Sequence, residues 1–196
     1  MPDRPSLLPR LRQETAQSHR ELEDAVQIAR TLGNESSYRK LLEVFHGFYA
    51  PMEEQLSEAQ EWELEGIHFD ERRKADWIKQ DLQALGLGAD QINSLPTCED
   101  LPVVNENDFA FGSFYVLEGS TLGGRHISAM LQTSPISEHA RRFFRGYGED
   151  TGTMWKQFCN SLEGFAEHAD HGKIIRGADA TFRSLQRWIA HEGLHA

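Results

Sequence analysis

Cysteine is scarce in this chain. The 196 residues contain two, Cys98 and Cys159, too few for a disulfide framework and too widely separated for a CxxC redox or zinc pair, so both are read as free thiols. Long apolar runs are also missing. No stretch approaches the roughly 20 apolar residues of a membrane span, and the opening Met1-Pro-Asp-Arg-Pro5 has no signal-peptide core. The expectation is a cytoplasmic protein with no membrane partner. Basic residues are in deficit, 20 Lys and Arg against 31 Asp and Glu for a net charge of −11. That balance argues against nucleic acid and anionic lipid as partners, and any anionic ligand must be met by a local basic cluster. Strand-like alternation, internal repeats and low-complexity segments are absent too.

What remains is helical periodicity throughout, which predicts an all-α fold in one domain over residues 1–196, with an ordered core from about 8 to 190. A first helix is expected from about Pro9. A turn at 33–37 carries cap candidates, and Leu41, Leu42, Phe45, Phe48, Tyr49, Met52 and Leu56 mark a second helix that Pro51 would kink. Asp70 is the expected cap of a third helix that ends at Gly86, before a polar connector over 87–107. A long helix is expected over 108–131, a short one after Ser137, one capped by Thr153, and a last one from about Lys173 through Trp188.

The most informative stretch runs from Phe111 to Ile127, an apolar helical segment interrupted by Gly119, Ser120, Gly123 and Gly124. Interior glycines cost up to about 1 kcal/mol each relative to alanine, so Gly119, Gly123 and Gly124 ask for roughly 3 kcal/mol of compensation. Their spacing strips one helical face of side chains. Tight helix packing, a cap with a restart, or the floor of a flat ligand would each explain it. A second motif lies in the first helix, where Thr15, Ser18, His19, Leu22 and Val26 share a face. His19 is therefore expected to point inward, and Glu23, one turn on, can accept its Nδ1 proton and leave Nε2 free for a metal.

Together these motifs resemble the heme oxygenase family. Arg12, Thr15, His19 and Glu23 match its first-helix pattern, and the run from Tyr115 to Gly124 matches its kinked distal-helix pattern. The wording is similar to the bacterial branch, in particular to members that supply biliverdin to bacterial phytochromes, and the similarity spans nearly the whole chain. The resemblance implies a multi-helical bundle with heme between a proximal and a distal helix. It further implies O2- and electron-dependent cleavage of heme b to biliverdin, CO and free iron. Heme is then both substrate and cofactor, electrons come from an external donor such as a ferredoxin or flavoprotein reductase, and a bacteriophytochrome is a candidate acceptor. By the same carry-over His19 ligates iron, Glu23 orients it, Arg12 and Tyr115 hold propionates, Thr15 lines the heme site, and Gly119, Ser120, Gly123 and Gly124 form the distal floor. Ser120 stands where the animal branch has a distal Asp, which leaves Ser120, Arg125 or His126 to organise a distal water. Lys156, Arg176 and the cluster Arg141, Arg142 and Arg145 are weaker propionate candidates.

Two other classes compete. Glu-x-x-His pairs at Glu43/His46, Glu65/His68 and Glu192/His195 have the spacing of a non-heme di-iron site on a related helical scaffold, although two of them fall in a glycine-interrupted segment and at the C-terminus. A heme carrier or sensor without turnover would share every binding residue. A thiamin-degrading enzyme of similar architecture lacks its catalytic Cys in a matching place.

Overall fold

The structure, a computed structural model, describes residues 6–59 and 62–194, and every regular element among them is helical. The first arm comprises α1 (Leu7–Glu14) and α2 (Ala16–Val26). Where periodicity predicts one helix from Pro9, the chain starts earlier and breaks once. The Glu163 carboxylate crosses from a distant helix to accept the N–H groups of Leu7 at 3.1 Å and Leu8 at 2.9 Å, and the Ser6 hydroxyl also donates to it. These contacts satisfy donors that a helix start leaves orphaned. The break falls at Thr15, whose hydroxyl donates to the Leu11 carbonyl at 2.7 Å, the side-chain back-bonding that loosens a helix ladder. His19 N still donates to Thr15 O at 3.0 Å, so the ladder crosses the junction.

A single turn, α3 (Ile28–Thr31), leads to α4 (Glu35–Ala59), which runs through Pro51. Asn34 Oδ1 accepts Ser37 N at 2.9 Å at its start, as the turn composition predicts. Asp70 does not cap the next helix. It sits in a 3-10 turn, Phe69–Arg72, and α5 (Ala75–Ala84) begins where Glu53 of α4 accepts Lys74 N at 2.6 Å and Ala75 N at 3.2 Å. The connector contains only the short α6 (Ala89–Asn93). The long helix α7 (Asn107–Leu131) is assigned without interruption across Gly119, Gly123 and Gly124. Then come α8 (Arg142–Arg145), α9 (Thr151–Ala166), which starts two residues before the expected Thr153 cap, and α10 (His171–His191). Asp170 caps α10 by accepting Gly172 N at 2.8 Å, which sets its start ahead of Lys173.

The most extensive helix pair is α7 with α10. A Cβ on Gly112 would lie 1.9 Å from Ile174 O, and one on Gly177 would lie 2.3 Å from Phe109 O. Each helix therefore presents a notch to the other's backbone, and neither position accepts any side chain without separating the pair. Beside this crossing Phe111, Phe114 and Phe158 pack with Trp62 and Phe69, all buried, with Trp62 and Phe114 centroids 4.9 Å apart. Each such buried ring contributes about 2 kcal/mol by area, and this core holds α7 rigid behind the site.

Candidate functional site

Where α2, α7 and α10 meet, a cavity of about 620 Å³ opens, within the range of small-molecule sites. Its walls gather Arg12, Thr15, His19 and Glu23 from the first arm and Tyr115, Gly119, Ser120 and Gly123 from α7. Residues a hundred positions apart in the chain thus share one chamber. A larger groove of about 750 Å³ lies elsewhere, along Pro96, Cys98, Arg187 and Trp188. It contains none of these residues, and its Arg187 is already paired with Asp100 at 2.7 Å.

His19 opens into the cavity with its ring edge-on to Phe182 of α10, centroids 5.5 Å apart. Its side chain is 54% exposed, because the face that looks inward meets a chamber rather than packed core. Nδ1 lies 3.6 Å from Glu23 Oε2, ion-pair range but longer than a hydrogen bond, so Glu23 acts on the imidazole as a nearby charge. Arg12 has no carboxylate partner among the described residues, and its guanidinium stands near enough to Tyr115 for its charge to act on the phenol. Burial pushes the Tyr115 phenol up while the Arg12 charge holds it down. An anion entering at this end meets the Arg12 guanidinium and the Tyr115 phenol. Thr15 is buried with its hydroxyl committed to Leu11 O, so it offers the cavity only carbon.

The glycines divide. A Cβ on Gly123 would meet nothing within 4 Å, and one on Gly119 only the Trp155 ring at 3.8 Å; both line open space. Gly124 does not line the cavity. Its Cβ would lie 2.7 Å from the Phe144 carbonyl oxygen, so its small size serves the packing of α7 on α8. Successive helical residues project about 100° apart, and that rotation separates Gly123 from Gly124.

Ser120 donates its hydroxyl to Leu117 O at 2.7 Å and shares the cavity lining with Tyr49. Burial, followed by the charges of Glu53 and Glu118, pushes the Tyr49 phenol far above its ordinary range, so Tyr49 stays protonated. His126 is exposed and does not line the cavity, and the Arg125 side chain lies outside the described residues. Tyr49, Trp155, Arg20 and Phe182 also line the cavity and escaped the sequence reading. Tyr49 carried the one usable signal, a hydroxyl on an otherwise apolar face that needs a partner.

The weaker candidates lie elsewhere. Arg141 donates to Ile136 O, Arg142 to Gly146 O and Arg145 to Glu138 O at 3.5 Å, backbone-tying roles around α8. Arg176 borders another groove, and Lys156 is exposed outside the cavity. Both cysteines are free and buried, and burial pushes the Cys159 thiol up to about 11. The di-iron constellation does not assemble. Among the described residues no three His, Cys, Asp or Glu side chains converge on a metal position. Glu43 pairs with Arg39 at 3.4 Å, His68 with Glu63 at 3.2 Å and Glu192 with Lys40 at 3.1 Å, while His195 lies outside the described residues.

Comparison with known proteins converges on one family. The family model described as heme oxygenase matches residues 5–191. A heme oxygenase of Xanthomonas campestris pv. campestris (strain 8004) is 32% identical over 160 residues, covering 80% of this chain and 90% of that one. The fold is shared with the NO- and CO-bound heme oxygenase from Neisseria meningitidis at a TM-score of 0.76, 21% identity and coverage of 96% and 92% of the two chains. It is shared also with heme oxygenase from Leptospira interrogans at 0.69, 19% identity and coverage of 95% and 99%. The chain belongs to the heme oxygenase family, oxidoreductases that degrade heme to biliverdin using O2 and reducing electrons.

Proposed function

We propose that the cavity between α2, α7 and α10 is where this enzyme cleaves heme, with His19 as the iron ligand. The observation that carries the reading is the convergence of His19, of Arg12 beside Tyr115, and of the open walls at Gly119 and Gly123 in one chamber. The donor set fits the group: one imidazole for iron, a cation and a phenol for propionates, and apolar wall from Leu22, Val116, Phe182 and Leu185 for the macrocycle. Heme bound there supplies the iron at which O2 is reduced and the ring that is opened to biliverdin, CO and free iron.

The protein's contributions follow from its own groups. Glu23, 3.6 Å from Nδ1, favours the tautomer with the proton on Nδ1 and leaves Nε2 for iron. A neutral imidazole donates less electron density than a thiolate, which suits attack on the ring rather than cleavage of O2 at the metal. Arg12 and Tyr115 fix the in-plane orientation through propionates and so bias which meso edge is presented. Gly119 and Gly123 leave α7 backbone as the wall and steer by bulk. Ser120 Oγ, oriented by its bond to Leu117 O, is the polar atom of this wall that would anchor a water there. Within the same proposal, electrons arrive from a separate donor of the ferredoxin or flavoprotein reductase class, the product passes to a bacteriophytochrome, and the chain works in the cytoplasm. None of its described helices is long and apolar enough to cross a membrane.

The test is to titrate the purified chain with hemin and record the visible spectrum. Reductant is then supplied with catalase present, and the bilin is identified by chromatography. A one-to-one, histidine-ligated complex that yields a biliverdin isomer is expected. A stable complex with no bilin would favour a heme carrier and overturn the catalytic reading.

A further inference from the structure

Directly behind the cavity wall lies a buried ionic cluster that no step above uses. Glu118 of α7, the residue before Gly119, is fully buried. Its Oε2 accepts Arg72 NH1 at 2.6 Å, and its Oε1 accepts Lys74 Nζ at 2.6 Å and the Tyr147 hydroxyl at 2.8 Å. Lys74 is 1% exposed and Arg72 4%. Lys74 Nζ also donates to Arg72 O at 2.8 Å, and Arg72 NH1 to Met154 O of α9 at 3.2 Å. One carboxylate therefore ties α7 to the segment before α5, to the loop after α8 and, through Arg72, to α9.

Such a cluster is a poor way to gain stability, since burying ions costs about as much as their attraction returns and an apolar replacement packs at least as well. What it supplies is a fixed position. Glu118 is anchored on both oxygens, and its backbone carbonyl also accepts the Thr121 hydroxyl at 2.7 Å, so the turn Glu118–Thr121 is held from outside the helix. Gly119 and Ser120, inside that turn, line the cavity. Gly119 has no side chain with which to grip its neighbours, so the clamp on the adjacent Glu118 fixes the register of this part of the wall.

We propose that Glu118, clamped by Arg72 and Lys74, is a positioning residue for the distal wall, setting where Gly119 and Ser120 stand relative to heme and the electrostatic potential they carry. The inference rests on the reading of this cavity as the heme site. The charges facing Glu118 are Arg72 and Lys74 from the segment before α5 and Glu53 from α4, with the phenols of Tyr147 and Tyr49; α9 contributes the Met154 carbonyl and the buried Cys159 thiol, which the Glu118 charge helps to keep protonated. Burial pushes the Glu53 carboxyl up, against the opposing pull of Lys74. Tyr49, which lines the cavity, feels both Glu53 and Glu118 and so carries the cluster's field to the cavity wall.

Two variants test it: Glu118→Gln, which keeps the shape and removes one charge, and Glu118→Gln/Lys74→Met, which removes one charge of each sign. Each is read for apoprotein melting temperature, for hemin stoichiometry and histidine ligation, for the midpoint pH of the spectral transition of the ferric hemin complex, and for the ratio of biliverdin isomers. The single variant leaves the cluster more positive, so its midpoint falls by about half a pH unit or more. The balanced variant returns the midpoint toward wild type while its isomer ratio broadens, because the clamp is gone. Both keep one-to-one histidine ligation, since His19 is on another helix. Wild-type midpoint and isomer ratio in both variants, with only melting temperature moved, would reduce Glu118 to a core brace. Failure of the wild-type chain itself to form the hemin complex would instead overturn the site assignment.

Discussion

A Cβ placed on Gly124 would stand 2.7 Å from the carbonyl oxygen of Phe144, whereas one on neighbouring Gly123 would stand in open space. Adjacent glycines in one motif therefore do different work. Gly124 lets α8 approach α7, a contact that the Ser128 hydroxyl reinforces by donating to the same Phe144 oxygen at 2.8 Å, and Gly123 keeps the cavity wall bare.

Substitutions at the two positions should separate folding from chemistry. Gly124→Ala forces α8 away and should cost about 1 to 3 kcal/mol of apoprotein stability, with biliverdin yield per bound heme unchanged. Gly123→Ala adds a helix former without a clash and should stabilise the apoprotein by up to about 1 kcal/mol, while Gly123→Leu should fold normally and lose turnover. Melting curves and yield per bound heme on the same preparations decide. A destabilised Gly123→Ala or a selectively inactive Gly124→Ala would contradict the division.

The Arg12–Tyr115 pair yields a binding prediction. Loss of a charge-assisted hydrogen bond costs about 1.5 to 3 kcal/mol, so Arg12→Ala should weaken hemin affinity roughly 10- to 100-fold. Tyr115→Phe should lose less affinity but spread the biliverdin isomers, because the cation stays and the directional contact goes. Unchanged hemin affinity in Arg12→Ala would place the propionates elsewhere.

Asp81 gives a pH signature. Its carboxylate is fully buried and accepts Arg142 N at 2.7 Å and Phe143 N at 2.8 Å, and burial raises it from the ordinary carboxylate value to about 6 despite those bonds. A raised value means the folded state binds the proton more tightly than the unfolded chain does. Its contribution is thus fully present below the unfolded pKa near 4 and is lost as pH rises through 6, up to about 3 kcal/mol by linkage. Asp81→Asn cannot titrate, so the stability of wild type relative to this variant should fall between pH 4 and 6 and level off above. Urea unfolding at a series of pH values tests this, and a pH-independent difference would refute it.

How much was legible follows from where each determinant sits. The long helix α7 and its glycines were readable because their signal is local periodicity. The start of α5 was not, because the cap comes from Glu53 on α4, and the start of α1 was not, because it comes from Glu163 on α9. The break at Thr15 rests on one hydroxyl choosing a carbonyl. Within the site, His19, Glu23, Arg12, Tyr115, Gly119, Ser120 and Gly123 were legible by motif and meet in one cavity. Tyr49 and Trp155 were not, because an aromatic residue on an apolar stripe reads as core until the cavity beside it is known. The packing of Gly124 on α8 was not legible, because sequence gives spacing along a helix but not which neighbour the next residue will face.

The decisive comparison is hemin titration of His19→Ala against wild type, followed in the visible spectrum and repeated with added imidazole. With His19 as the iron ligand, the variant keeps its apoprotein fold, loses the histidine-ligated spectrum and biliverdin formation, and regains part of both when imidazole enters the vacated space. A His19→Ala protein with an unchanged spectrum and normal turnover would show that the iron is held elsewhere and that this cavity has been misassigned.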